Sequence, residues 1–136
     1  MSETHDRHLA IKSLMMPRDT NPYGTIFGGV LLSYIDEAGA IGAMAEIRRN
    51  DWPERPVVTV AMNSVEFHQA VFVGDVVSFY TRVARVGRTS ITMHVTVETD
   101  RGDGPIQLTQ AQVTFVAVKI EGNERTTVPI RGEDAQ

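Results

Sequence analysis

Apolar residues in this chain change their spacing once, and the change divides it into two kinds of structure. From Gly28 to about Arg49 they recur every three or four positions, as Val30, Leu31, Tyr34, Ile35, Ala38, Ile41 and Ala45. That period predicts one long helix. After Val57 the period falls to two. Residues 89–99 set Ile91, Met93, Val95 and Val97 against Thr92, His94, Thr96 and Glu98, and residues 107–120 alternate Ala111, Val113, Phe115 and Ala117 with polar neighbours. Both patterns predict half-buried strands. Val57–Phe67 and Asp75–Val86 read as two more strands, and Leu9–Met15 as a short first strand stopped by Pro17.

The helix is apolar nearly all round, and Ala38, Gly39, Ala40, Gly42 and Ala43 keep it slim. A helix of that kind is expected to be buried on every side. Asn50-Asp51-Trp52-Pro53 and Pro56 end it. Gly87-Arg88 predicts a two-residue hairpin turn of type II′, and Arg101-Gly102-Asp103-Gly104-Pro105 predicts the next turn. One strand, one long helix and four strands joined by short connections make an α+β plan. A curved antiparallel sheet wrapped around a central helix satisfies it.

Composition narrows the possible functions. At 136 residues and 15.0 kDa the chain is expected to be one domain, 1–136, with an ordered core over about 9–120 and polar ends that fray. No run of about 18 uncharged apolar residues exists to cross a bilayer, and the polar first fifteen residues do not suit a signal peptide. A formal charge of −4 argues against a nucleic-acid partner. The absence of cysteine removes disulfides, thiolate zinc sites and cysteine nucleophiles, and suits a cytoplasmic location. Four scattered histidines, His5, His8, His68 and His94, lack metal-ligand spacing, so no metal or other cofactor is expected.

The chemistry concentrates where the loop enters the helix. Asp19-Thr20-Asn21-Pro22-Tyr23-Gly24-Thr25-Ile26-Phe27 delivers Gly28-Gly29 to the helix start, where backbone N–H groups are free to receive negative charge. Seven positions beyond Gly29 and on nearly the same face stands Asp36, about 10 Å along the axis, at a position where a core helix normally carries Leu or Ala. A carboxylate there can deprotonate water or attack directly, and the two amides can hold a developing oxyanion. The plainer alternatives are an Asp36 that caps a loop or pairs with an Arg, a glycine pair that only makes a tight entry, and an Asn21 that builds an Asx turn before Pro22. Asp19 reads as a turn or cap residue, Glu37 as meeting solvent or an Arg across a subunit boundary, and His94 as lying on the solvent or interface face of its strand. Ser33 lacks the context of a serine nucleophile.

Asp19-Thr20-Asn21, Gly24, Ile26-Phe27-Gly28-Gly29 and Ile35-Asp36-Glu37-Ala38-Gly39 together resemble the hot-dog fold, and within it the YciA-type and cytosolic acyl-CoA thioesterases. Val73-Gly74-Asp75-Val76 and Val86-Gly87-Arg88-Thr89-Ser90 fall where that family has its strand-opening and hairpin motifs. The resemblance covers roughly residues 9–120. It implies hydrolysis of a fatty acyl-CoA thioester by a homodimer whose sheets join edge to edge and which often assembles into hexamers, as a trimer of dimers. Its sites lie between subunits, with Asp36 as the catalytic acid and Asn21 supplied by the neighbouring subunit. Coenzyme A enters only as part of the substrate, and Phe27, Arg88, Thr89 and Ser90 are the candidate substrate contacts. His68-Gln69-Ala70 departs from the family pattern. Two other readings stand beside this one: a non-catalytic acyl-CoA sensor, and a hot-dog enoyl-CoA hydratase or dehydratase, which the absence of a histidine from the glycine-rich loop disfavours.

Overall fold

The computed structural model describes residues 7–132. Strand β1 (His8–Leu14) is followed by a single 3-10 turn (Pro17–Asp19), helix α1 (Gly28–Arg49), and strands β2 (Val57–Phe67), β3 (Val76–Val86), β4 (Ser90–Asp100), β5 (Pro105–Glu121) and β6 (Glu124–Thr127). The strands form one antiparallel sheet in the order β1-β3-β4-β5-β2, with β6 paired to the far end of β5. The periodicity places α1 correctly at both ends. His8, expected in a loose terminus, instead opens β1, whereas His5 lies outside the described residues.

Helix α1 lies across one face of the sheet and buries Leu31, Ile35, Ala38, Gly39, Gly42, Ala43 and Ile47. They meet Phe79, Ile91, Met93, Val95, Val113 and Phe115 from the strands in one core. The glycines set how closely the layers approach. A Cβ on Gly39 would sit 3.0 Å from the Phe115 ring, and one on Gly42 would sit 2.8 Å from Thr81 Cβ and 3.0 Å from Met93 Cε.

Three expectations need correction. The sheet does not bury the helix on every side: Gly29, Ser33, Glu37 and Met44 remain exposed. A sheet that curves over a helix from one side cannot reach the opposite side, so the apolar residues there have no cover within one chain. The β3–β4 connection has three residues, Gly87 to Thr89, closed by a bond from Gly87 N to Ser90 O at 2.8 Å. Gly87 lacks the positive φ that a type II′ turn requires at its first position. A Cβ at position 87 would come 2.6 Å from Ser90 Oγ, so a side chain there requires that hydroxyl to swing aside. The structure also extends past residue 120, since β6 adds a short polar strand and Ile130 is buried in the core.

Strand β2 is one end of the main sheet, and its outer edge has no partner among the described residues. Its pairing with β5 slips twice, between Thr59 and Ala61 and between Asn63 and Glu66, and Ser64 adopts φ 54° in the second irregularity. Val60 on this strand is 57% exposed.

Candidate active site

The loop before α1 is held by its own polar residues. Asn21 Oδ1 accepts from Tyr23 N at 2.9 Å and Thr25 N at 3.1 Å, while Nδ2 donates to Thr25 Oγ1 at 2.8 Å. Gly24 takes φ 88° at the bend. Within its own chain, then, Asn21 is an Asx-turn residue, the plainer of its two readings. Asp19 is a cap as expected, with Oδ2 accepting Met16 N at 3.1 Å and its backbone carbonyl accepting Phe27 N at 3.0 Å. Ile26 N donates to Val71 O at 2.8 Å, which ties the loop to the segment before β3.

The chain then turns into α1. Phe27 is the N-cap and its side chain is half exposed; its carbonyl accepts Val30 N at 3.1 Å and Leu31 N at 3.4 Å. The amides of Gly28 and Gly29 precede this first intrahelical bond, so the helix does not use them. A Cβ on Gly29 would meet nothing within 4 Å, whereas one on Gly28 would sit 3.4 Å from the Phe67 ring. Beside them opens a cleft of about 360 Å³ walled by Ile26, Gly28, Leu31, Phe67, His68 and Val71, among others.

Asp36 stands two turns further on and is half-buried. Thr59 Oγ1, from β2, donates to its Oδ1 at 2.6 Å, and among the described residues no ion pair reaches it. A carboxylate with one hydroxyl donor and no counter-ion keeps acceptor capacity for a water or a substrate. Asp36 does not line the 360 Å³ cleft, so one chain leaves the acid and the cleft apart. Glu37 is exposed, as expected.

Arg88, Thr89 and Ser90 lie away from the helix start. Ser90 pairs with Val116, whereas Phe67, which packs on Gly28, pairs with Thr109. Those partners are seven residues apart along β5, about 23 Å. Arg88 O accepts Ile130 N at 2.9 Å and Thr89 O accepts Ala117 N at 2.8 Å, so the hairpin is fastened to the opposite end of the sheet.

Thr59 is the contact that sequence reasoning missed. It lies 23 positions from Asp36 on an exposed strand, and nothing local marks it. A second missed group is Arg101, whose guanidinium grips both oxygens of Asp75 at 2.7 and 3.1 Å. That contact, assisted by a hydrogen bond from Phe72 N, holds the Asp75 carboxyl below the usual carboxylate range despite partial burial. No cluster of three histidine or acidic side chains that could hold a metal ion occurs among the described residues.

Residues 23–106 match the thioesterase superfamily. The chain belongs to that family. The acyl-CoA thioester hydrolase YciA of Salmonella typhimurium is 38% identical over 137 residues, covering 97% of this chain and 98% of the relative. A hexameric hotdog fold thioesterase of Campylobacter jejuni superimposes with a TM-score of 0.74 at 43% identity, covering 90% of this chain and 89% of that one. An acyl-CoA hydrolase from Staphylococcus aureus, solved with butyryl coenzyme A, coenzyme A and coenzyme A disulfide, gives 0.76 at 26% identity over 97% and 77%. The helix on a curved antiparallel sheet is therefore the hot-dog fold, as the loop and helix motifs implied. No described helix is long and apolar enough to cross a membrane.

Proposed function

We propose that this thioesterase-family protein hydrolyses the thioester of a fatty acyl-CoA, releasing the free acid and the thiol of coenzyme A. Asp36 is the acid that performs it, and the amides of Gly28 and Gly29 receive the carbonyl oxygen. The observation that carries this reading is the state of Asp36. It is a half-buried carboxylate on the helix whose own start offers unused N–H donors, it is oriented by one hydroxyl, and no cation among the described residues pairs with it.

The spacing favours water over direct attack by the carboxylate. Asp36 lies about 10 Å along α1 from the glycine pair, a separation that the backward lean of helical side chains shortens. Reacting atoms must approach to about 3–3.5 Å. A carbonyl held on the glycine amides lies beyond direct reach of that carboxylate, but a water fits between them. Asp36 takes a proton from the water as its oxygen adds to the carbonyl carbon. The C–S bond then breaks, and the proton passes on to the departing thiolate.

The complete site needs a second copy of the chain. The outer edge of β2 carries the Thr59 that holds Asp36, and this edge is open for a partner's sheet to continue. The Asn21 loop, with Tyr23 89% exposed near its tip, is the part the neighbour supplies. Three such dimers make the hexamer, the assembly of the Campylobacter relative. Phe27 lines the acyl end, while Arg88, Thr89 and Ser90 reach the nucleotide of substrate held by an adjoining subunit. The cysteine-free chain works in the cytoplasm.

The test is a panel of acyl-CoA esters of increasing chain length, read by thiol release and repeated with Asp36→Asn. Activity on the panel should fall by about a thousandfold in the variant, with the melting temperature retained. Full activity in Asp36→Asn removes Asp36 from the mechanism, and thiol release from no ester on the panel removes the function.

A further inference from the structure

We propose that Arg101 is a positioning residue for the helix start, an inference that rests on the reading of Gly28 and Gly29 as the oxyanion site. Arg101 belongs to the β4–β5 turn, and its guanidinium grips the segment that walls the cleft. Nη2 donates to Ala70 O at 2.9 Å and to Asp75 Oδ2 at 2.7 Å, and Nε donates to Asp75 Oδ1 at 3.1 Å. The group also lies 5.1 Å from the Phe72 ring centroid. Asp75 Oδ2 in turn accepts Phe72 N at 2.9 Å. One planar fork thus fixes residues 70, 72 and 75 together.

The grip leads back to the glycine amides by a short route. Ala70 and Val71 line the cleft that Gly28 shares. Val71 O accepts the N–H of Ile26, two residues ahead of Gly28, and both Val71 and Ile26 are buried. The other end of the segment is tied to Met15, the residue that follows β1, through Met15 N to Asp75 O and Gly74 N to Met15 O, both 2.9 Å. With Met15 holding one end and Arg101 the middle, Val71 O has a fixed height, and Ile26 sets the direction in which the chain enters α1. Releasing Arg101 leaves Ala70 O without its donor and lets that height vary.

Arginine rather than lysine is required. The contact spans a carboxylate and a carbonyl with a rigid planar donor set, which an ammonium cannot reproduce. Nor is this mainly a stability contact. The Arg101 side chain is 31% exposed and that of Asp75 10%, so solvent reaches the pair from the arginine side and its contribution to folding is modest.

The experiment compares R101Q and R101K with the parent protein for kcat and KM on an acyl-CoA, for melting temperature, and for amide exchange at Ile26 and Gly29. In R101Q, kcat should fall on the order of tenfold, KM should stay within about twofold, the melting temperature should fall only modestly, and exchange at both amides should quicken. R101K should have an intermediate kcat. An unchanged kcat in R101Q overturns the proposal, as does a rise in KM alone or a loss of kcat that only tracks loss of folded protein. If R101Q does not fold, R101K decides: a parental kcat there overturns the proposal. D36N run alongside separates the two readings. An inactive D36N with a parental R101Q sinks only the role of Arg101, whereas a fully active D36N sinks the reading on which it rests.

Discussion

Thr59 Oγ1 sits 2.6 Å from Asp36 Oδ1, joining the edge strand β2 to the middle of α1. The hydroxyl hydrogen can point at only one acceptor, so one carboxylate oxygen is occupied and the other takes no hydrogen bond from the described residues. This contact sets the orientation of the acid without neutralising it.

Removing the hydroxyl should therefore change turnover more than folding. Thr59→Val keeps the β-branched shape that suits a strand, and position 59 is exposed. A loss of kcat of about tenfold is expected, in line with one hydrogen bond to a charged group, and Thr59→Ser should recover most of it. Thiol-release kinetics on the three proteins read this directly. Parental kcat in Thr59→Val means that the bond does no orienting.

The unused amides at the helix start can be deleted one at a time. Gly29 lies in the first turn, where the fold leaves its N–H unpaired, so proline is tolerated there. Gly29→Pro should melt close to the parent yet lose about a hundredfold or more in kcat, the scale of one missing oxyanion donor. Gly29→Ala keeps the N–H and is the control for added bulk, since a Cβ there meets nothing within 4 Å. Equal kcat in the proline and alanine variants shows that the N–H takes no part.

Acid titration should expose the Arg101–Asp75 pair. The folded-state pKa of Asp75 is lowered from its ordinary 3.8. The stabilisation is therefore present above that ordinary value and is lost as pH falls through the folded one. Asp75→Asn should be less stable than the parent at pH 7, and the gap in urea midpoint should close as the pH is taken well below 3.8. A gap of constant width down to the acid limit would show that the carboxylate's charge is irrelevant.

Sites shared between subunits allow two dead proteins to make a live one. Asp36→Asn and Asn21→Ala should each be inactive alone. Coexpressed and randomly paired, they should regain about a quarter of the sites, since a two-fold dimer of one of each carries one intact site in two. Val60→Lys, a charge placed on the exposed β2 edge, should shift the sedimenting mass toward the monomer. No regain on coexpression, together with an unchanged mass for Val60→Lys, places the site within one chain and the interface elsewhere.

The long elements were legible because their periods are long and their boundaries chemical. Helix α1 runs from a glycine pair to Asn50-Asp51-Trp52-Pro53, and β4 alternates from Met93 to Asp100. Strand β6 was not legible. Its Glu-Arg-Thr-Thr has no apolar alternation and exists because β5 runs on past β4 and offers backbone to pair with. The Gly87 turn failed for a different reason: the dipeptide pattern fits a left-handed glycine in a two-residue turn, but the connection has three residues and Gly87 does not adopt a positive φ. Of the site, Asp36 and the glycine pair could be read from composition against position, because an acid in an apolar helix conflicts with its surroundings. Thr59 and Arg101 could not, as each acts across the fold on a residue more than twenty positions away.

Gly39 and Gly42 press α1 so closely onto Phe115, Thr81 and Met93 that the spine of the molecule has no slack. Variation that retunes this protein for a different acyl group is therefore confined to the rim, among side chains such as Met44 and Phe67 that still have open space beside them. A library randomised along the inner stripe of the helix would return mostly misfolded chains, while the same diversity spent on the rim would return folded proteins with altered appetites.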